Sequence, residues 1–182
     1  VGHDQGSVVL QAVVREQPHL VRSWVLGGGV SDAEYFWHPQ ARVWQTSGAG
    51  EQSRDTWLAL DQQRRVQLLV ADGMPVLHAE RAARSVDREM LDSILALYRS
   101  EPWLGDWEFE AGREYPPGLV VWGERDPFQA VDFGRRAADA AGADLVTFDC
   151  GHWWQLERPA QLAGVLRRFW EGLEAGGVRR RL

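Results

Sequence analysis

Short uninterrupted apolar runs alternate with longer stretches in which apolar residues recur every three or four positions, the pattern of strands alternating with helices. Gln5 to Gln17 has helical spacing through Val9, Ala12, Val13 and Glu16 and is stopped by Pro18-His19. Val21 to Leu26 then reads as a strand, closed by Gly27-Gly28-Gly29. From Ser31 to about Tyr115 the alternation lapses into Trp- and Arg-rich helical periodicity, with Arg54 to Val70 and Asp87 to Ser100 as its clearest helices. Asp72-Gly73-Met74-Pro75 stops the first; an Asp cap opens the second and Pro102 stops it. Past Pro116-Pro117, Leu119 to Trp122 reads as a buried strand, Phe128 to Ala141 as a helix ended by Gly142, and Leu145 to Phe148 as another buried strand. Pro159 suits the first turn of a last helix with Leu162, Val165, Leu166, Phe169, Trp170 and Leu173 as one apolar stripe. The expected organisation is α/β, in three segments: 1–30, a helical insertion 31–115, and 116–182.

Composition narrows the picture. A chain of 182 residues with 45% hydrophobic content can fill one core. The net charge of −6 gives no electrostatic footprint for nucleic acid, and the Arg179-Arg180-Arg181 tail is too short to supply one. No run reaches the length of a membrane span and no signal peptide is visible, so a cytoplasmic protein without membrane attachment is expected. The single cysteine, Cys150, excludes an internal disulfide and a Cys-rich metal site, and reads as a buried neighbour of His152. His19 and His78 have no paired ligands around them, so neither a metal nor a cofactor is expected. With all 20 basic residues Arg, coding bias explains more than chemistry does, but ten Trp are unusual and several are expected to line a cavity.

The candidate chemistry lies at three strand ends. Gly2-His3-Asp4-Gln5-Gly6 has the glycine spacing of a sharp strand-to-helix turn that pushes its central side chain outward; an ordinary Gly-bounded turn would look the same. Gly123-Glu124-Arg125-Asp126-Pro127 and Cys150-Gly151-His152-Trp153-Trp154 follow the two later strands. Asp, Asp, His in that order resembles the nucleophile, acid and base of the α/β-hydrolase family, in the Asp-nucleophile version found in epoxide hydrolases and haloalkane dehalogenases. The run from His152 to Glu157-Arg158-Pro159 also resembles that family's lead into its last helix. The resemblance implies an α/β-hydrolase fold with residues 31–115 as a cap. It also implies that an N-terminal half, on the order of a hundred residues at ~30 per βαβ unit, is supplied by a longer chain or a second chain.

An Asp with reference pKa near ~3.9 is already ionised at neutral pH, which leaves His152 free for a second half-reaction. Asp4 would form an ester, water activated by His152 would hydrolyse it, Asp126 would orient the imidazole, and the Gln5 N–H would hold the oxyanion. His3 is expected to be structural. Epoxide opening also needs an acidic O–H at the developing alkoxide. The resemblance to epoxide hydrolases implies two cap tyrosines, of which Tyr98, in Leu97-Tyr98-Arg99, matches one; Tyr98 also falls on the helical stripe Met90, Leu91, Ile94, Leu95 and could be core. Tyr35 is the candidate for the second, with Trp37 as a competitor for that place.

Trp37, Trp44 and Trp153 are expected to border a pocket for a small apolar substrate, and His38 and Glu51 could lie nearby. Three readings stand: an epoxide hydrolase; a haloalkane or haloacid dehalogenase using the same triad, with Trp37 or Trp44 and the Gln5 amide holding halide; and a binding protein that keeps the pocket without turnover.

Overall fold

A computed structural model describes residues 1–100 and 106–179; Pro102 and Arg180-Arg181 of the expected tail lie outside them. In chain order its elements are α1 Gln5–Glu16, β1 Trp24–Leu26, α2 Pro39–Gln45, α3 Ala49–Ala59, α4 Gln62–Ala71, α5 Val76–Arg84, α6 Arg88–Ser100, β2 Gly118–Gly123, α7 Val131–Ala141, β3 Asp144–Phe148, α8 Trp154–Glu157 and α9 Pro159–Arg179. They form two compact units, Val1–Asp32 with Asp106–Leu182, and Ala33–Gly105.

The first unit holds a parallel sheet in the order β1-β2-β3, with Val25 opposite Leu119 and Val121 opposite Val146. Side chains alternate between its faces as the pleat requires. Trp24, Leu26, Val120 and Trp122 pack with Val14 of α1 and Ala137 and Ala138 of α7, whereas Val25, Leu119, Val121 and Phe148 pack with Trp154 and the partly buried Leu162, Val165, Leu166 and Phe169 of α8 and α9. Helices on both faces account for strands that read as unbroken apolar runs. Residues 1–4 run along the edge of β1 away from β2: the Gly2 N–H donates to the Val25 carbonyl at 2.8 Å and the Asp4 N–H to Gly27 at 3.1 Å.

Several expected boundaries shift for local reasons. The strand expected from Val21 begins at Trp24, because a 3₁₀ turn at Pro18–Leu20 uses the preceding residues to reverse the chain. The helix expected from Phe128 begins at Val131, because the Asp126 carboxylate takes the N–H groups of Phe128 (2.9 Å) and Gln129 (3.3 Å) and holds them in a turn. On the last helix Trp170 stays 41% exposed rather than joining the buried stripe. Trp24, Trp122 and Trp154 are fully buried core residues, not cavity lining. Their size makes them the main apolar mass of the sheet's two faces, and Trp24 satisfies its indole N–H at the Pro116 carbonyl, 2.8 Å away.

The second unit is all helical. The stretch expected as one helix, Arg54 to Val70, is the end of α3 and most of α4, interrupted where Asp61 caps α4 through the Arg64 N–H at 2.8 Å. Arg65 then closes the end of α3 by donating to the carbonyls of Trp57, Leu58 and Val86, at 3.1, 3.0 and 3.0 Å. Trp44, Val86, Leu91 and Leu95 form this unit's core, with Tyr98 and Ile94 packed against it. Phe109 and Tyr115, expected within the insertion, pack instead with the core of the first unit, so the helical unit ends about ten residues earlier than the sequence suggests.

Candidate active site

Gly2 to Gly6 forms the turn between the edge segment and α1. A Cβ on Gly2 would stand 2.5 Å from the Gly6 carbonyl oxygen, so the chain can double back only if residue 2 lacks a side chain. At Gly6 the space is open, so the second glycine is not demanded by crowding. Asp4 sits between them at φ 53° and ψ −126°, the single non-glycine residue with positive φ among those described. Such a conformation costs about 1–3 kcal/mol and persists only where the surroundings over-determine it.

Here the surroundings are explicit. The Ser7 hydroxyl, fully buried, accepts the Gly27 N–H at 2.8 Å and donates to the Gly27 carbonyl at 2.9 Å, which pins α1 to the end of β1. One turn on, the Gln11 amide bonds both main-chain groups of Ser31, at 2.7 and 3.2 Å. Asp4 occupies the N-cap position of α1, yet its carboxylate makes no capping bond. In this backbone conformation the carboxylate makes no bond to the helix end, while the N–H of Gln5, first residue of α1, belongs to the turn without intrahelical acceptors.

Asp126 and His152 are brought together by the loops after β2 and β3. These loops are tied to each other by the Glu124 N–H on the Phe148 carbonyl (2.9 Å) and the Arg125 N–H on the Cys150 carbonyl (3.0 Å). Asp126 Oδ2 lies 2.8 Å from His152 Nδ1. A carboxylate only accepts, so Nδ1 carries the proton and Nε2 is left as the basic nitrogen. Cys150 is buried beside them, and burial pushes its thiol up to about 11.

The turn at Asp4 and the histidine loop meet across Gly27-Gly28-Gly29. A Cβ on Gly28, which has φ +72°, would lie 3.0 Å from His3 Nε2 and 3.3 Å from His152 Cε1; one on Gly29 would lie 2.8 Å from the Asp4 carbonyl oxygen. The His3 and His152 rings are 4.5 Å apart between centroids, and Trp153 flanks both, at 5.3 and 5.2 Å. Asp4, Gln5, Asp126, His152 and Trp153 thus belong to one unit and cluster at the ends of its strands.

The other candidates belong to the helical unit. Tyr35 and Tyr98 each make an edge contact with Trp37, at 5.9 and 5.5 Å between centroids. Trp44, expected at a pocket, is 6% exposed within that unit's core. His38 accepts the Ala41 N–H at the start of α2, and Glu51 pairs with Arg99, both structural positions. No group of three or more His, Cys, Asp or Glu side chains suited to a metal occurs among the described residues.

Sequence reasoning missed the polar clamps. Gln129 bonds both main-chain groups of Val30, at 2.9 and 3.1 Å, while its own N–H is held by Asp126. Glu157 accepts the Gly151 N–H at 3.0 Å. Glutamines and a glutamate in loop-proximal positions carry no distinguishing sequence pattern.

Comparison with known proteins agrees with this architecture. The chain is similar in fold to a hydrolase from Pseudomonas aeruginosa PA01 (22% identity, TM-score 0.67, 93% of this chain and 63% of that one). It is also similar to the 2-hydroxy-6-oxo-6-phenylhexa-2,4-dienoate hydrolase of Rhodococcus sp. strain RHA1 (19%, TM-score 0.68, 93% and 62%). A variant of an epoxide hydrolase from Bacillus megaterium is a third (14%, TM-score 0.66, 93% and 67%). The chain spans less than two thirds of the length of the first two of these proteins. No curated protein sequence matches it. The model of the alpha/beta hydrolase family matches residues 1–165, and with that match covering the turn at Asp4, the acid loop and the histidine loop alike, the chain belongs to the alpha/beta hydrolase family.

Proposed function

We propose that this chain carries the reacting groups of a cofactor-independent hydrolase that works through an ester on Asp4, and that its substrate is a small apolar epoxide. The observation that carries the reading is the Asp4 side chain: an aspartate at a helix N-cap ordinarily accepts a main-chain N–H, worth about 1 kcal/mol, and here that bond is forgone in a strained backbone conformation. A carboxylate kept out of the helix is a carboxylate kept for attack.

In the first step an Asp4 oxygen forms a bond to an epoxide carbon as the ring C–O bond breaks. The alkoxide takes a proton from Tyr98 or Tyr35, which share the ring of Trp37 as a neighbour. In the second, His152 Nε2 takes a proton from water as the hydroxide oxygen adds to the ester carbonyl carbon. The resulting oxyanion is met by the Gln5 N–H; collapse breaks the ester C–O bond to the substrate, and the leaving alkoxide takes the proton held on His152. The proton of the regenerated Asp4 carboxyl restores the tyrosine, so that the diol leaves with all three side chains in their starting states. Asp126 holds Nδ1 and stabilises the imidazolium.

The test is intact-mass analysis of His152→Gln incubated with a panel of epoxides. An added mass of one substrate, mapped to Asp4, is expected; a panel that leaves no adduct overturns the reading. Halide release from haloalkanes that survives Tyr98→Phe, with no epoxide turnover, would transfer the site to dehalogenation. Ligand binding indifferent to Asp4→Ala, without turnover, would make it a binding site.

A further inference from the structure

The residue before the proposed nucleophile has a place in the geometry that the reaction as written does not use. His3 Nε2 lies 2.9 Å from the main-chain carbonyl oxygen of His152; a carbonyl accepts, so Nε2 bears the proton and donates. The His3 ring is packed between the rings of His152, Trp153 and Trp154, at 4.5, 5.3 and 5.4 Å between centroids. The wall behind the pair is Gly28, where any side chain would press on both rings.

We propose that His3 is a positioning residue for His152: its ring N–H fixes the His152 carbonyl and, through it, the direction in which the imidazole presents Nε2. The loop is then held at three points. Glu157 takes the Gly151 N–H at 3.0 Å, His3 gives to the His152 carbonyl, and Asp126 takes the ring Nδ1 proton at 2.8 Å. With the main chain fixed on both sides of the Cα and the ring fixed at one nitrogen, the other nitrogen has one direction left. A base that must catch a water against an ester carbonyl gains from this, because a displacement of about 1 Å can cost on the order of 100-fold in rate.

A neutral donor suits the position. Burial and the neighbouring His152 hold His3 below the ordinary histidine value, against the opposing pull of its bond to the His152 carbonyl and of Asp4 and Asp126. An Arg or Lys donor there would set a fixed cation beside a base that must itself become cationic.

The inference rests on the base role proposed for His152, and its test separates the two. In proton NMR of the intact protein, the downfield Nδ1 proton of His152 shared with Asp126 reports ring placement without substrate. His3→Phe keeps the ring and removes the donor; His3→Gln keeps an N–H. The resonance is expected to be broadened or lost in His3→Phe and retained in His3→Gln. Epoxide turnover is expected to fall by roughly 10- to 100-fold in kcat, with KM nearly unchanged, in the Phe variant and to recover in the Gln variant. A folded His3→Phe protein with the wild-type resonance and kcat overturns the proposal, as does a His3→Gln variant no better than His3→Phe. A resonance that depends on His3 in a protein inert to epoxides supports the positioning role and removes the epoxide reading alone.

Discussion

Asp126 and His152 meet at 2.8 Å with their side chains 0% and 4% exposed, a carboxylate–imidazole pair almost wholly withdrawn from solvent in which Nδ1 is engaged and Nε2 is the nitrogen left to accept a proton. In Asp126→Asn the amide can present an N–H to Nδ1 and so favour the wrong tautomer. By analogy with the Ser-His-Asp arrangement, ester hydrolysis should fall by on the order of 10³- to 10⁴-fold. In the proposed reaction alkylation of Asp4 needs no base, so it should keep its rate within severalfold. Single-turnover mass spectrometry reads both steps, and an equal loss in both would contradict the assignment of His152 to the second.

The two glycines around Asp4 should behave oppositely. Gly2→Ala puts a methyl 2.5 Å from the Gly6 carbonyl and should destabilise by roughly 1–3 kcal/mol or more, with loss of ester formation. Gly6→Ala meets open space in the first turn of α1 and should be neutral or stabilising by about 0.5–1 kcal/mol. Denaturant melts of the two variants measure this, and a Gly6→Ala protein as unstable as Gly2→Ala would refute it.

Cys150 should be inert in the native protein. The thiol is buried and held at about 11, chiefly by burial, so little thiolate exists at pH 8. Iodoacetamide at pH 8 is expected to label it only in denaturant; rapid native labelling would show that the loop after β3 opens readily.

Glu51 gives the helical unit a defined acid limit. It takes both ends of the Arg99 guanidinium, at 2.7 and 2.9 Å, and the Gly48 N–H at the start of α3, at 2.7 Å. Arg99 foremost holds its carboxyl down to about 2 from the ordinary 4.5. The folded value is below the unfolded one, so the stabilisation is complete above 4.5 and is lost as pH falls toward 2. The melting-temperature gap between wild type and Glu51→Gln should therefore be constant above about pH 5 and close as pH falls through this window. A gap independent of pH would show that the charge contributes nothing.

The meeting of Asp126 and His152 in neighbouring loops was foreshadowed because the apolar runs Leu119 to Trp122 and Leu145 to Phe148 each run into a glycine-containing turn that carries one of them. Periodicity also revealed α1, α6, α7 and α9 in outline. It failed where a side chain overrides local preference. Asp61 caps a new helix inside a continuous amphipathic run, and Asp126 withholds Phe128 and Gln129 from α7. Aromatic content misled in a different way: a count of ten Trp suggested that several line a cavity, whereas Trp24, Trp122 and Trp154 are the ballast of the sheet and Trp44 is core of the helical unit, since composition counts rings without saying which way they face.

Gln129 joins two loops that are far apart in sequence, holding Val30 by both main-chain groups while its own N–H is held by Asp126. The practical outcome concerns protein engineering. The acid cannot be transplanted as a short peptide, because its support is borrowed from the segment leaving β1. A graft limited to Gly123–Gln129 would arrive without its foundation, and lengthening either loop by one residue would misalign the other.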